Sequence, residues 1–202
     1  MQQVNTSALK VFKTAVFLIG LVSFCLLTGM RTNTDTSNLN ASHLGNKKYK
    51  KLAIGDKHSG GIIFYLDKTG EHGLVVSAKD ISTSAKWGYL DSAVNANAKA
   101  VGSGRLNSSK ICDLIIEPGI AARLCTSFES GKFKNWYLPS LDELNLIYTN
   151  LKLQNLGDLS NAMYWCSSET DFNNAWAQNF ETGFAIERHV NTPCHVRAIN
   201  EF

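Results

Sequence analysis

The chain has 202 residues and a formal net charge of +3, enough for one domain and an appendage. Two of the basic residues, Lys10 and Lys13, lie in the first thirty positions, which hold no acid. The remainder carries 18 basic against 17 acidic side chains, a near-neutral balance unlike that of a nucleic-acid-binding protein.

Residues 1–30 read as a targeting segment. Lys10 and Lys13 precede an apolar run from Ala15 to Leu27, the pattern of a positive n-region and an h-region. The run is shorter than the ~20 residues that span a bilayer, which favours a cleaved signal. Leu27-Thr28-Gly29-Met30 is a poor cleavage site, so an uncleaved anchor over residues 10–30 stays open. Either way the expectation is an exported protein: extracellular, cell-surface or periplasmic. Residues 31–51 are polar and nearly free of apolar side chains, as in a solvated linker. Lys47, Lys48, Lys50 and Lys51 cluster around Tyr49 at its end.

A single domain is expected over residues 52–202. Gly60–Leu66 and Gly73–Ala78 are β-branched runs joined by Asp67-Lys68-Thr69-Gly70, which predicts a hairpin. Residues 89–107 are rich in Ala, Asn, Ser and Gly and read as a long surface loop. Segment 108–128 is helical in character, with Ser108 or Ser109 as its cap and Pro118-Gly119 as its break. Asn135–Leu138 is an extended entry to a helix. Ser140 and Glu143 have capping-box spacing, and Leu141, Leu144, Ile147, Tyr148 and Leu151 follow at helical spacing. Four strands are predicted to close the chain: Tyr164–Ser167, Ala175–Phe180, Phe184–His189 and Cys194–Ile199. The order of hairpin, helices and strands is that of an α+β domain with two small helical regions.

Four cysteines lie beyond the targeting segment: Cys112, Cys125, Cys166 and Cys194. In an exported domain they read as two disulfides with three connectivities open. A nucleophilic Cys166 served by His189 or His195 is the enzymatic alternative. Zinc-ligand spacing is absent from the sequence. Calcium would need six to eight oxygens, and Glu169, Asp171, Asn173 and Asn174 are the oxygen-rich cluster nearest a strand end. A turn accounts for that cluster equally well, so no metal and no cofactor are expected.

Alternation along Ala175–Phe180 puts Trp176, Gln178 and Phe180 on one face. Trp176 with Gln178 offers an aromatic platform and a polar neighbour, as a sugar-binding surface requires. Trp87, Trp136 and Trp165 fit a core better. Arg188, His189, His195 and Arg197 would share a face if the last two predicted strands paired as a hairpin, and could then hold sulfate or carboxylate groups.

Three segments taken in order, Asn135-Trp136-Tyr137-Leu138-Pro139-Ser140-Leu141-Asp142-Glu143-Leu144, Tyr164-Trp165-Cys166-Ser167-Ser168-Glu169 and Asn174–Phe180, carry a resemblance. Over roughly Ile54–Phe202 the chain resembles the family of the C-terminal domain of the Legionella collagen-like adhesin, related to the Fibrobacter major paralogous domain. The resemblance implies a C-type-lectin-like fold in which the two ends of the domain meet. It also implies a non-enzymatic module that binds an extracellular glycan, sulfated ones included, or a surface protein, and a homotrimer. Cys166 and Cys194 stand where related sequences seldom have cysteine, on segments expected to be neighbours. The resemblance therefore implies a Cys166–Cys194 bridge, which leaves Cys112–Cys125. Ligand-binding residues are then expected among Trp176, Gln178, Arg188, His189 and Arg197. The familiar lectin calcium motifs are missing, so binding is expected to be calcium-independent. Tyr137-Leu138-Pro139-Ser140 with Glu143 is also similar to an element of formylglycine-generating enzymes, with tyrosine in place of their arginine. Enzyme and structural envelope protein are the alternatives to a binding module.

Overall fold

A computed structural model of the chain describes residues 51–89 and 93–202. The expected targeting segment, most of the expected linker and Lys47, Lys48 and Lys50 lie outside the described residues. Among the described residues no helix is long and apolar enough to cross a membrane.

The domain is α+β, with two sheets and three short α-helices among the described residues. The first sheet opens with β1 (Lys57–His58), β2 (Gly61–Leu66) and β3 (Gly73–Val76). The β2–β3 hairpin forms where the apolar runs and turn residues place it. Asp67 holds the turn by accepting the backbone N–H groups of Thr69 and Gly70, both at 2.9 Å. Gly70 takes a φ of +74°, a conformation that a side chain disfavours. Ile63 and Phe64 are consecutive and both fully enclosed, because alternation points them to opposite faces and each face carries a core; the register of β2 on β3 shifts between Ile63 and Tyr65.

The second sheet has the order β4–β8–β5–β6–β7, formed by β4 (Ser82–Ala85), β5 (Met163–Asp171), β6 (Asn174–Asn179), β7 (Ala185–His189) and β8 (Cys194–Val196). The predicted strand Cys194–Ile199 divides. Its first half is β8, and its last residue opens β9 (Ile199–Glu201), which pairs with β3 in the first sheet. The chain changes sheets at Arg197–Ala198, where Ala198 exchanges hydrogen bonds with Ser77 and Arg197 turns into an ion pair. The β3–β9 pairing brings the two ends of the domain together. β7 and β8 are not neighbours, since β5 and β6 lie between them. The hairpin that would have gathered Arg188, His189, His195 and Arg197 does not form.

Three helices connect the sheets: α1 (Gly104–Leu114), α2 (Ala121–Thr126) and α3 (Leu141–Asn150), the last followed by a 3-10 turn at Lys152–Gln154. α1 starts at Ser103, earlier than the expected cap at Ser108 or Ser109. Ser108 instead lies inside, where its hydroxyl accepts from Leu138 N and donates to Leu138 O. The close approach that permits this needs Gly104, because a Cβ there would run into the Glu143 carboxylate and the backbone of Leu138 and Ser140. α3 begins as its sequence dictates. Glu143 N donates to Ser140 Oγ at 3.3 Å, and Ser140 N donates to Glu143 Oε2 at 2.7 Å.

Trp87, Trp136 and Trp165 are enclosed in one core, and each donates its indole N–H to a backbone carbonyl, of Cys166, Phe133 and Ala85 respectively. Burying about 200 Å² of each ring is worth about 5 kcal/mol before the entropy of ordering it. A second core lies under α3, where Leu144, Ile147 and Leu151 pack with Phe64, Tyr164 and Phe180.

No disulfide joins the four cysteines: Cys112, Cys125, Cys166 and Cys194 are all free thiols. The expected bridges fail for a geometric reason. β5 and β8 are parallel neighbours, with Tyr164 opposite His195. That register sets Cys166 level with Arg197, three residues or about 10 Å along the strand from Cys194. Alternation also turns Cys166 into the core under α3 and Cys194 into the tryptophan core, whereas a bridge needs Cα atoms within about 7 Å and side chains that converge. Cys112 lies 3.7 Å from the Thr126 hydroxyl, while the Cys125 thiol points at Arg197 O, 3.8 Å away.

Candidate functional site

Residues 93–103 form no regular structure, yet their backbone is held by side chains from the domain interior. Glu169 is almost wholly buried, and its two carboxylate oxygens accept from Val94 N at 2.8 Å and Ala96 N at 3.2 Å. Glu143 Oε1 accepts from Gly102 N at 2.8 Å. The hydroxyls of Ser168 and Ser140 donate to Ala98 O and Ala100 O, and Asn107 Nδ2 also donates to Ala98 O. Burial raises the Glu143 carboxyl above its usual range, with these backbone donors opposing the shift. A loop anchored in this way presents its outward side chains in fixed positions.

One of those side chains is Lys99, whose Nζ lies 4.5 Å from the centre of the Trp176 ring. Trp176 is half-buried on β6, on the face that alternation assigns it. Glu187 of β7 sits directly opposite it. Asn179 N donates to Phe184 O, which fixes the ladder's phase and makes Trp176–Glu187 a close, non-hydrogen-bonded pair. Gln178, two residues along β6, is buried. Its Nε2 donates to Asn145 Oδ1 of α3 and to Gly183 O, both at 2.9 Å. Gln178 Oε1 has no partner among the described residues. Asp142, one helical turn before Asn145, is exposed and donates its N–H to Lys99 O. The surface thus sets an indole beside the Lys99 ammonium group, with Glu187 opposite on β7 and with Asp142 and Asn145 exposed on α3, while the Gln178 amide lies buried beneath. Clefts of about 320, 400 and 490 Å³ lie elsewhere on the domain and are not lined by Trp176.

Of the residues expected to bind ligand, Trp176 and Gln178 come together here. His189 lies on the same face as Glu187 but further along β7, exposed, with Nδ1 accepting from Asn191 N. Arg188 points to the opposite face, paired with Ala175, and its Nε is buried without a hydrogen-bond partner. Arg197 is enclosed. Its guanidinium donates to Asp80 Oδ1, Ser77 O and Asp158 O. His195 Nδ1 meets the other Asp80 oxygen at 2.8 Å, and Tyr164 donates to the same carboxylate. Arg197 and His195 therefore hold the interior together around Asp80, and the expected four-residue basic patch does not assemble.

The alternative chemistries find other uses for their residues. The Cys166 thiol donates to Trp176 O at 3.1 Å, and burial pushes its pKa up to about 12. Among the described residues no hydrogen bond joins it to His189 or His195, whose ring Nδ1 atoms meet Asn191 N and Asp80. The oxygen-rich cluster is a turn. Asp171 accepts from the Asn174 side chain and from the N–H groups of Asn173 and Asn174, which hold its carboxyl below the usual range, while Glu169 faces inward to the loop. Ser140 and Glu143, the core of the formylglycine-enzyme resemblance, are occupied in the helix cap and the loop.

Sequence reasoning missed Lys99, Asp142, Asn145 and Glu187. The first lay in a loop with no periodicity, and the next two were read only as helix. The chain matches no family model, and no curated protein matches it.

Proposed function

We propose that the domain is a calcium-independent glycan-binding module of an exported protein, with Trp176 as its sugar platform. The observation that carries this is the half-exposed Trp176 indole set between polar side chains on a loop held from inside. Sugar C–H groups pack on an aromatic face, and carboxylates and amides accept and donate to the hydroxyls around it. Asp142, Glu187 and Asn145 are placed for that role, with Lys99 free to swing from the ring toward a ring or hydroxyl oxygen. Because two carboxylates flank one ammonium group, the surface suits neutral glycans better than sulfated ones. A C-type-lectin-like fold is consistent with the hairpin-first order and the β3–β9 closure. Export rests on the pattern of Lys10, Lys13 and the apolar run after them.

The test is binding of the full chain to a panel of neutral, acidic and sulfated glycans, with EDTA and across ionic strength. The expected result is retention of neutral glycans, unaffected by EDTA, weakly dependent on salt, and lost on Trp176→Ala. A blank panel, or binding confined to sulfated glycans and abolished by salt, would overturn the reading.

A further inference from the structure

Among the described residues β7 is an open edge of the second sheet. The Asn179 N–H to Phe184 O bond sets the phase of the β6–β7 ladder, so Phe184, Ile186 and Arg188 direct their backbone groups toward β6. The N–H and C=O groups of Ala185 and Glu187 point away from the sheet, where a further strand would pair with them. On one face of this edge Phe184 is 73% exposed and Ile186 42% exposed, an unusual pairing of apolar side chains for an uncovered edge.

We propose that β7 pairs antiparallel with β7 of a second copy, giving a two-fold dimer with one continuous sheet. Registry follows from the residues. With Ile186 opposite the partner's Ile186, Ala185 and the partner's Glu187 exchange both backbone hydrogen bonds, and so does the symmetry-related pair. Phe184 then lies opposite the partner's Arg188 on each side of the dyad, where its ring can pack on the aliphatic stem of a side chain whose Nε is buried. The neighbouring registers are worse. Centring on Glu187 sets two carboxylates against each other, and centring on Arg188 opposes two guanidinium groups. Centring on Ala185 leaves a single bonded pair. The edge is therefore self-complementary in one register, and the occupant it fits is its own copy.

The pairing does not depend on the glycan reading, but its consequence does. A dyad perpendicular to the sheet keeps both Trp176 residues on the same face. Strand spacing and rise put the two platforms roughly 16 Å apart, so one extended glycan would engage both.

The experiment is light scattering on the full chain over a wide concentration range, with mild oxidation of two cysteine variants. Ile186→Cys should cross-link two chains well above the wild-type background, because Cα atoms of a non-hydrogen-bonded pair lie about 4.5 Å apart. Glu187→Cys should not, being out of register with its copy. Ile186→Lys should give a single-chain mass and still unfold in one cooperative thermal transition, since Ile186 lies outside the core, with a midpoint that no longer depends on protein concentration. A wild-type mass of one or three chains overturns the proposal. So does a dimer that persists in Ile186→Lys and fails to cross-link through Ile186→Cys. A dimer that binds no glycan leaves the pairing intact and removes the Trp176 reading. Glycan binding by a single-chain species does the reverse.

Discussion

Replacing Asp80 with asparagine tests how the interior is held. Arg197 has a side chain 1% exposed, and Asp80 is its only ionic partner among the described residues. The isosteric change removes the charge and leaves Arg197 donating to the carbonyls of Ser77 and Asp158. Breaking a buried pair from one side costs about 3–5 kcal/mol, because a desolvated charge is left uncompensated. A domain of this size loses about 2–4 °C of melting temperature per kcal/mol, so the midpoint should fall by about 6–20 °C. The assay is thermal unfolding followed by circular dichroism. The double variant Asp80→Asn with Arg197→Met removes the orphaned charge and should recover a large part of the loss. A drop below about 2 °C for Asp80→Asn alone, well under this range, would refute the reasoning.

Glu169→Gln should loosen the loop at 93–103, since charge-assisted bonds to Val94 N and Ala96 N are worth about 1.5–3 kcal/mol; faster hydrogen exchange of those two amides is the check. Dithiothreitol should leave the melting temperature unchanged because the four domain cysteines are free, whereas a fall of several degrees would reveal a bridge. The Cys166 thiol is pushed up to about 12 in the folded chain from an ordinary 9.0. A folded state that keeps a proton the unfolded state has released loses stability as pH rises through this window, by up to about 1.4 kcal/mol per pH unit for one group. Cys166→Ala should flatten that alkaline slope in denaturant titrations between about pH 9 and 11, whatever it does to the midpoint at neutral pH.

Local chemistry was readable wherever one residue type suffices to explain it. Pro139-Ser140 and Glu143 announced the start of α3, Asp67–Gly70 the first hairpin, and the alternation around Trp176 its face. Pairings between distant segments were not. The split of Cys194–Ile199 between two sheets depends on Arg197 finding Asp80, 117 residues away. The loss of the expected basic patch and of both expected disulfides depends on sheet order and register, which strand patterns leave open. Only a third of the candidate site was legible for the same reason. Trp176 and Gln178 follow from strand periodicity, whereas Lys99 reaches the ring only because buried Glu169 and Glu143 hold a loop that shows no periodicity of its own.

The most direct measurement is titration of a neutral oligosaccharide into isotopically labelled protein, observing the indole N–H signals of the four tryptophans. Trp87, Trp136 and Trp165 are enclosed with their N–H groups bonded to carbonyls, so they should stay in place. The Trp176 signal, identified by its loss in Trp176→Ala, should move saturably and equally with or without EDTA. A stationary Trp176 signal while another responds, or no response to any glycan, would contradict the account.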